Sequence, residues 1–442
     1  MFRNCGMASA GSRQASKTRA GKRPKVAPGR GEPGLMRFHH RAVPIVLSAV
    51  LIDTIGFGIV IPVLPSLIVE LSGYGLADAT RIGGYMLIAY ALAQFVAGPI
   101  MGSLGDRFGR RPVILASMIA FSADYALMAF APTLGWLFVG RLVAGLTGAV
   151  YGPANAVLAD VTPPEKRGAT FGLMGAAFGV GFILGPAIGG LLTEWGTRAP
   201  FVAAGLLALA NAVWIAIALP ETLDEEHRRP FSWRRANALG AFQPLLQASG
   251  KGAVALILTA LLWQLGHMVY PATWAFWAEI RLGWNAQAIG WSLAASGLGM
   301  AVVQVALTGR AIARFGEERT VVIGMVATMI TFAGFVFVTA GWQVYGLLML
   351  SALQGLVFPS INALLSRSVD RSNQGALQGG MSSVGSIAAV IGPLAMTQAL
   401  AAGAENGLPS ANFMLAVLLV AGALLVVWLG VVRRLPPRRA VA

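Results

Sequence analysis

The chain has 442 residues, of which 56% are hydrophobic and 12% charged, and its mean hydropathy is +0.69. A water-soluble domain has no surface for so much apolar material, so the composition excludes a soluble protein. The formal net charge of +15 would fit a nucleic-acid partner, but most basic residues lie in a tail and in alternate loops. That distribution is typical of membrane topology, and no nucleic-acid partner is expected.

Metal and nucleotide sites of the common kinds are also excluded. The single cysteine, Cys5, allows neither a disulfide framework nor a cysteine metal site. The four histidines show no ligand spacing, and the sequence contains no phosphate-binding G-x-x-x-x-G-K-[ST] loop. We therefore expect no cofactor, no metal and no enzymatic activity.

Residues 1–42 form a basic N-terminal tail. Ten Lys and Arg residues stand there against one acidic residue, Glu32, and the tail has no apolar period. This composition predicts disorder. The sequence from Met36 onward resembles a natural start, so the tail could reflect a gene start placed too early.

Twelve apolar segments follow, each long enough to cross a bilayer as a helix, which takes about 20 residues. The first six are predicted at 43–69, 82–104, 112–131, 134–157, 169–192 and 199–219. After a polar linker at 220–252, six more are predicted at 253–277, 287–308, 320–340, 342–366, 376–401 and 411–432. A basic tail at 433–442 ends the chain. The sequence thus predicts an all-α membrane protein with two six-helix halves, at 43–219 and 253–432.

The two halves are copies of one another. A single shift of 207 positions brings separated residues of the first half onto identical residues of the second. The matched pairs are Gly102 with Gly309, Arg107-Phe108-Gly109 with Arg314-Phe315-Gly316, Asn155-Ala156 with Asn362-Ala363, Gly168-Ala169 with Gly375-Ala376, and Gly185-Pro186 with Gly392-Pro393. One offset for five separated matches indicates an internal duplication.

The charge distribution predicts the orientation of the chain in the membrane. When the N-terminal tail is taken as inside, 29 of the 33 basic residues fall in inner segments. Only Arg81, Arg198 and Arg281 fall in outer loops, and Arg141 lies within a helix. This asymmetry predicts a multi-pass protein of the cell (inner) membrane with both termini in the cytoplasm.

The signature motifs of this chain resemble those of one transporter family. The loop at 102–112, G-x-L-G-D-R-F-G-R-R-P, resembles the loop 2–3 signature of the major facilitator superfamily. The pattern G-x-x-x-G-P-x-x-G-G at 181–190 resembles the fifth-helix signature of its drug/proton antiporter branch, and Gly140-Arg141 and 160–168 fit that branch too. The resemblance covers about 43–432 and implies a substrate site at midplane between the halves.

Within this branch the chain most resembles tetracycline/proton exporters. Three further stretches carry that resemblance, at 51–66, 124–125 and 374–379. Two positions depart from that pattern. The tetracycline exporters carry an acidic residue in the ninth helix, where this chain has Thr328, and a histidine where this chain has Met300. These departures bear on which compound is transported and leave the export class intact.

Three ionisable residues are the candidates for proton coupling. Asp53 lies deep in the first helix, where an acidic residue costs on the order of 3 kcal/mol on insertion scales and is functional by default. Asp124 and Arg141 lie at similar depth on consecutive helices, which permits pairing directly or through water. Arg141 could equally be held by Asp53. The alternative for Asp53 is an inert carboxylate that makes one hydrogen bond, and for Asp124 and Arg141 it is a purely structural ion pair. A coupling role for Arg141 depends partly on the resemblance.

The loop between helices 2 and 3 is the candidate conformational element, through Gly102, Gly105, Asp106, Arg107, Gly109, Arg110 and Arg111. The glycines would let helix 2 approach a neighbour closely. Asp106 could cap the N-terminus of helix 3 or reach an arginine of the other half. Because the second copy has Ala313 in place of Asp106, a latch in this loop should be asymmetric. The alternative is that the arginines serve topology alone.

The fifth helix carries small residues on one face, at Gly181, Gly185, Pro186, Gly189 and Gly190. This pattern predicts a sliding or bending contact surface, or plain close packing. Candidate cavity residues are the polar and aromatic side chains within the helices, namely Gln94, Asn155, Gln264, Trp274, Gln304, Gln354 and Asn362. His267 is a further candidate for proton relay or a neutral structural histidine.

These features together predict a proton-driven antiporter that exports amphipathic drug-like compounds by alternating access. The resemblance implies efflux of the tetracycline-resistance kind, by a monomer in the lipid bilayer. One alternative is a proton-coupled uptake carrier for a metabolite, which for a charged solute would call for ionic partners in the second half. The other is a membrane receptor on the same fold, which would have no use for Asp53.

Overall fold

The computed structural model describes residues 33–148, 151–163, 166–233, 251–367, 374–431 and 433. Most of the predicted N-terminal tail, the later part of the linker and nearly all of the C-terminal tail lie outside these residues. The predictions of disorder and of exact half boundaries therefore stay predictions.

Twelve helices in the described ranges are long and apolar enough to cross a membrane, as the sequence predicts. The first six, α1–α6, are Ala42–Val60, Leu76–Phe108, Arg110–Ala129, Leu134–Val161, Thr170–Trp195 and Ala199–Ala218. The second six, α7–α12, are Ala253–Leu282, Ala286–Phe315, Glu317–Phe337, Gly341–Arg367, Gly380–Glu405 and Ala411–Gly430.

Several helices are longer than their apolar segments. The helix α2 has 33 residues and runs from Leu76 to Phe108, whereas the sequence predicts 82–104. Hydropathy marks the part of a helix that lies in lipid, while the backbone hydrogen bonds continue into polar turns. The chain also breaks after Val60 and resumes as a short helix, Leu64–Ser72, with Pro65 in its first turn.

The internal duplication is visible in the two corresponding loops. Gly109 and Gly316 both have positive φ, 102° and 80°, and each separates two helices at a sharp corner. The preceding arginines also match, since Arg107 lies 4.9 Å from the ring centroid of Phe108 and Arg314 lies 5.8 Å from that of Phe315. We call the end of the bundle that carries both corners the loop end, and the opposite end the far end.

The halves contact each other at the far end. Arg81 of α2 binds Glu405 of α11 through two hydrogen bonds of 2.6 and 2.7 Å. Beside this pair, Gln398 donates to the hydroxyl of Tyr85 at 3.3 Å. Across the bundle, Gln287 at the start of α8 donates to Glu194 at 3.2 Å. These bonds close the far end.

Toward the loop end the halves separate around a cavity. It has a volume of about 410 Å³ and is lined by α2 and α4 of the first half and α11 of the second. A methyl group added at Gly98, Gly102 or Gly152 would meet no heavy atom within 4 Å, so this side of the bundle is open. The structure is thus a conformation closed at the far end and open at the loop end.

Candidate functional site

The cavity wall combines apolar and hydroxyl groups from both halves. Gln94 and Tyr151 belong to the first half, and Ser382, Ser383 and Ser386 belong to α11 of the second. Gln94 is held in place because its amide donates to the Tyr90 hydroxyl at 3.1 Å and to a backbone carbonyl of α4 at 3.2 Å. The wall therefore offers hydrogen bonds to a solute without presenting a charge of its own.

Asp53 lies directly behind this wall. Its carboxyl group is within hydrogen-bonding reach of the Tyr151 hydroxyl, which itself lines the cavity. The same hydroxyl lies 3.0 Å from Oγ1 of Thr54. Sequence reasoning identifies Asp53 but not Tyr151, because only the fold brings residues nearly 100 positions apart together. The sequence signal that could have indicated Tyr151 is an aromatic hydroxyl group within a predicted membrane helix.

The direction of the hydrogen bonds around Tyr151 depends on the protonation state of Asp53. Thr54 donates its one hydroxyl proton to the Val50 carbonyl at 2.8 Å, so in the contact with Tyr151 it acts as the acceptor. The Tyr151 proton then points to Thr54, and the Tyr151 oxygen is available to accept from a protonated Asp53. An ionised Asp53 would instead require the Tyr151 proton to turn toward it.

Asp124 and Arg141 form a direct ion pair, one of the arrangements that the sequence leaves open. Arg141 Nη2 lies 3.4 Å from Asp124 Oδ2, and both side chains are buried. Gly140 permits this approach, since a methyl group there would lie 2.8 Å from Asp124 Oδ1. Asp124 Oδ1 and Arg141 Nε have no partner among the described residues, so the pair retains unused hydrogen-bonding capacity.

In the loop, Asp106 does not cap α3, so that expectation is wrong. Its carboxylate binds the Arg110 side chain at 2.6 Å within the same half, and Arg110 also lies 3.4 Å from Asp160. The cap is Glu221, the second residue of the linker. Its carboxylate accepts from the backbone N–H groups of Arg110 at 2.9 Å and Arg111 at 3.2 Å.

The corner at Gly109 is shaped to admit Glu221. With φ at 102° and ψ at 159°, Gly109 occupies a region of the backbone map that is essentially reserved for glycine. A methyl group added there would overlap the Glu221 carboxylate. A motif search in the sequence does not identify Glu221, because it lies about 110 residues from the helix start that it caps.

The remaining loop residues have separate roles. A methyl group at Gly105 would lie 3.2 Å from Arg110, whereas Gly102 faces open space, so the close approach expected at Gly102 is not made in this conformation. Arg107 lies over the ring of Phe108. The Arg111 guanidinium donates to the Ala216 carbonyl at the end of α6.

The glycine motif of α5 brings three helices together. Gly181, Gly185 and Gly189 face α1, where an added methyl group at each would overlap the α1 backbone or Thr54. Gly190 instead faces α8 of the second half, with an added methyl group 2.7 Å from the Ala286 carbonyl. The motif therefore supports close packing and places α5 at the boundary between the halves.

The other predicted cavity residues are more dispersed. Trp274 is buried inside the second half, where its indole donates to Ser292 at 2.9 Å. Gln354 is buried beside His267. Asn155 and Gln304 are exposed, and Gln264 and Asn362 are half-buried. Of the seven predicted residues, only Gln94 lines the cavity described above.

The two positions that depart from the tetracycline-exporter pattern lie in α8 and α9 of the second half. Thr328 is buried in α9 and donates its hydroxyl proton to the Gly324 carbonyl of its own helix. Met300 in α8 packs against Gly355, at 3.4 Å from a methyl group placed there. Neither side chain supplies an ionisable group to the second half.

Comparison with known proteins identifies the family. The sequence model of the Major Facilitator Superfamily matches residues 46–393 and, in a second match, 254–442. The class C tetracycline resistance protein of Escherichia coli is 40% identical over 372 residues, or 84% of this chain and 92% of that protein. The class G protein of Vibrio anguillarum is 39% identical over 369 residues, or 82% and 92%.

The fold agrees with this result. The crystal structure of the human organic anion transporter MFSD10 superimposes with a TM-score of 0.65 at 24% identity, over 88% of this chain and 99% of that one. At such low identity the likeness concerns the fold alone. On the sequence match and the architecture together, the chain belongs to the Major Facilitator Superfamily.

Proposed function

We propose that this protein exports amphipathic drug-like compounds in exchange for protons, as a monomer in the cell membrane. The resistance proteins that are 39–40% identical to this chain over the aligned residues support efflux as the direction of transport. The cavity between the halves supports a small organic substrate, because its wall is mainly apolar with a few hydroxyl and amide groups.

The loop end is proposed to face the cytoplasm. Most basic residues outside the membrane lie at this end, and the positive-inside rule favours them on the cytoplasmic side. The bundle is then open to the cytoplasm and closed to the outside through Arg81 and Glu405. An exporter in this conformation is ready to load its substrate.

The observation that carries the proposal is the position of Asp53 behind Tyr151. A carboxyl group that must give up and regain a proton needs a polar route to water, and Tyr151 connects it to the cavity. A substrate that binds the Tyr151 hydroxyl would compete with the protonated state of Asp53. Proton loading and substrate loading then exclude each other, which is the condition for exchange.

The buried Asp124–Arg141 pair is proposed to support this exchange. Breaking such a pair by removing one partner costs about 3–5 kcal/mol, because the other charge is left buried. The pair can keep α3 and α4 aligned while α4 also carries Tyr151. In this proposal the ion pair positions α3 and α4, and Asp53 is the group that exchanges its proton with water.

The substrate of this protein is proposed to be mostly apolar and without net charge. The cavity wall formed by α2, α4 and α11 contains no Asp, Glu, Lys or Arg among its lining residues. Thr328 and Met300 add no ionisable group in α8 and α9. A compound that relies on a fixed ionic partner in the second half would bind poorly.

A susceptibility panel in an efflux-deficient host tests the proposal. Expression should raise the inhibitory concentration of several amphipathic compounds, and a protonophore should abolish the effect. Everted vesicles energised by a proton gradient should accumulate the same compounds. Accumulation that is insensitive to collapse of the gradient would contradict proton exchange, and no change for any compound would contradict drug export.

A further inference from the structure

A second cavity, on the outer surface of the bundle, is not used by the transport mechanism. It has a volume of about 590 Å³ and lies at the loop end between α1, α3 and α6. Pro44 and Ile45 form one wall, and Trp214, Ile217 and Leu219 form the other. Arg111 is its one charged lining residue. We call this cavity the Arg111 groove.

The Arg111 groove lies at the boundary between lipid and water. Its residues come from α1, from the first turn of α3, and from the last turn of α6 with the two residues after it, at the loop end of the bundle. Trp214 and Ile217 are exposed on the bundle surface, at 49% and 79%. Exposed apolar side chains on a membrane helix face lipid tails, and tryptophan is enriched at the level of the headgroups.

Arg111 lacks a carboxylate partner in the described part of the chain. Its neighbour Arg110 is paired with Asp106 and Asp160. Glu221 accepts from the backbone N–H of Arg111 but makes no ion pair with its side chain. The guanidinium donates to the Ala216 carbonyl, which leaves most of its five donors available. A cation without a counter-ion at this depth is complementary to a phosphate group.

We propose that the Arg111 groove binds an anionic phospholipid of the surrounding leaflet. The phosphate of the headgroup accepts from Arg111, and an acyl chain lies along the apolar wall formed by Ile45, Trp214 and Ile217. Basic pockets between membrane helices bind anionic headgroups on this physical basis. The lipid would join α3 to α6, beside the Glu221 cap. The proposal concerns lipid binding alone and does not depend on the proposed substrate cavity or on Asp53.

Lipid retention measured by native mass spectrometry tests the proposal on the full chain. The protein is purified from nanodiscs that contain equal amounts of phosphatidylglycerol and phosphatidylcholine. The wild type should retain one phosphatidylglycerol in preference to phosphatidylcholine, and Arg111→Gln should lose on the order of tenfold in that preference, the value of one charge-assisted contact. Arg107→Gln removes the same charge from the same loop outside the groove and should keep the preference.

A second variant keeps the test decisive if Arg111→Gln does not fold. Ala218 also lines the groove, so Ala218→Phe fills it without changing charge and should also abolish the preference. Equal loss in Arg107→Gln and Arg111→Gln would show a diffuse surface charge and overturn the proposal. It is also overturned if the wild type shows no preference, or if inorganic phosphate displaces the lipid at micromolar concentration, which would make this a site for free anions.

Discussion

Glu317 and Arg367 form an ion pair of 2.6 Å at the positions that, 207 residues earlier, hold Arg110 and Asp160. The pair is kept in both halves, but its charges are reversed. In each half it joins the first turn of the helix after the loop corner, α3 or α9, to the end of the following helix, α4 or α10. The loop ends of the halves thus carry opposite charges at equivalent positions.

The reversed pair predicts the outcome of a charge exchange. Glu317 is buried at 7% exposure, so Glu317→Arg should place two like charges in one site and lower stability by about 1–3 kcal/mol. The double variant Glu317→Arg with Arg367→Glu restores an ion pair and should recover most of the loss. Melting temperatures in detergent measure both the loss of stability in the single variant and its recovery in the double variant. A double variant as unstable as Glu317→Arg would mean that the site does not tolerate the reversed order.

The corner at Gly109 predicts a large effect from one methyl group. Gly109→Ala should lower stability by about 2 kcal/mol or more, because the backbone conformation alone costs roughly 1–3 kcal/mol for other residues and the methyl group displaces Glu221. Gly102→Ala is the matched control. Its methyl group meets no atom, and alanine is favoured over glycine in a helix by about 0.5–1 kcal/mol. Equal melting temperatures for the two variants would refute the Glu221 cap.

Contact between α5 and α8 predicts a cross-link that holds the observed conformation. A Cβ placed on Gly297 lies 3.6 Å from Cβ of Ile183, which is within the range of a disulfide. Ile183→Cys with Gly297→Cys, in a Cys5→Ser background, should form the bond under mild oxidation and stop transport. A reductant should restore transport. Transport by each single cysteine variant should be insensitive to both the oxidant and the reductant. Continued transport by the fully cross-linked protein would argue against rocking of the halves at this contact.

The position of Tyr151 predicts that removing its hydroxyl group impairs proton coupling more than substrate binding. Tyr151→Phe keeps the ring but removes the link between Asp53 and the cavity, so proton-driven transport should fall at least tenfold. Substrate affinity should change about fivefold at most, the value of about one hydrogen bond. Tyr90→Phe is the control, because the Tyr90 hydroxyl accepts from Gln94 near the same cavity. A similar defect in both variants would show that the cavity wall, and not the link to Asp53, is being measured.

Part of this arrangement could be predicted from the sequence because it depends on local pattern. Hydropathy alone gives the twelve helices, and counting residues from the turn between α3 and α4 gives the equal depth at which Asp124 and Arg141 pair. The roles of Tyr151 and Glu221 could not be predicted in this way. Each meets its partner about 100 residues away, so its position follows from helix packing and not from spacing along the chain.

The same limit explains the misplaced expectations. Trp274 has the composition of a cavity residue, but the second half surrounds it with other aromatic rings, including Trp277 and Phe335 at centroid distances of 5.3 and 5.2 Å. Asp106 has the position of a helix cap, but an arginine four residues later is within its reach. Where two partners compete for one side chain, sequence spacing does not decide between them.

The central claim is that Asp53 carries the exchanged proton, and substrate-induced proton release from purified protein tests it most directly. Wild-type protein in weakly buffered detergent should release protons when substrate is added. Asp53→Asn should release none, even when the substrate concentration is raised to offset the weaker binding that is expected because the neutral amide resembles the protonated acid. Asp124→Asn should still release protons, though its stability is lower. Normal proton release from Asp53→Asn, with none from Asp124→Asn, would contradict the account and transfer the coupling role to Asp124.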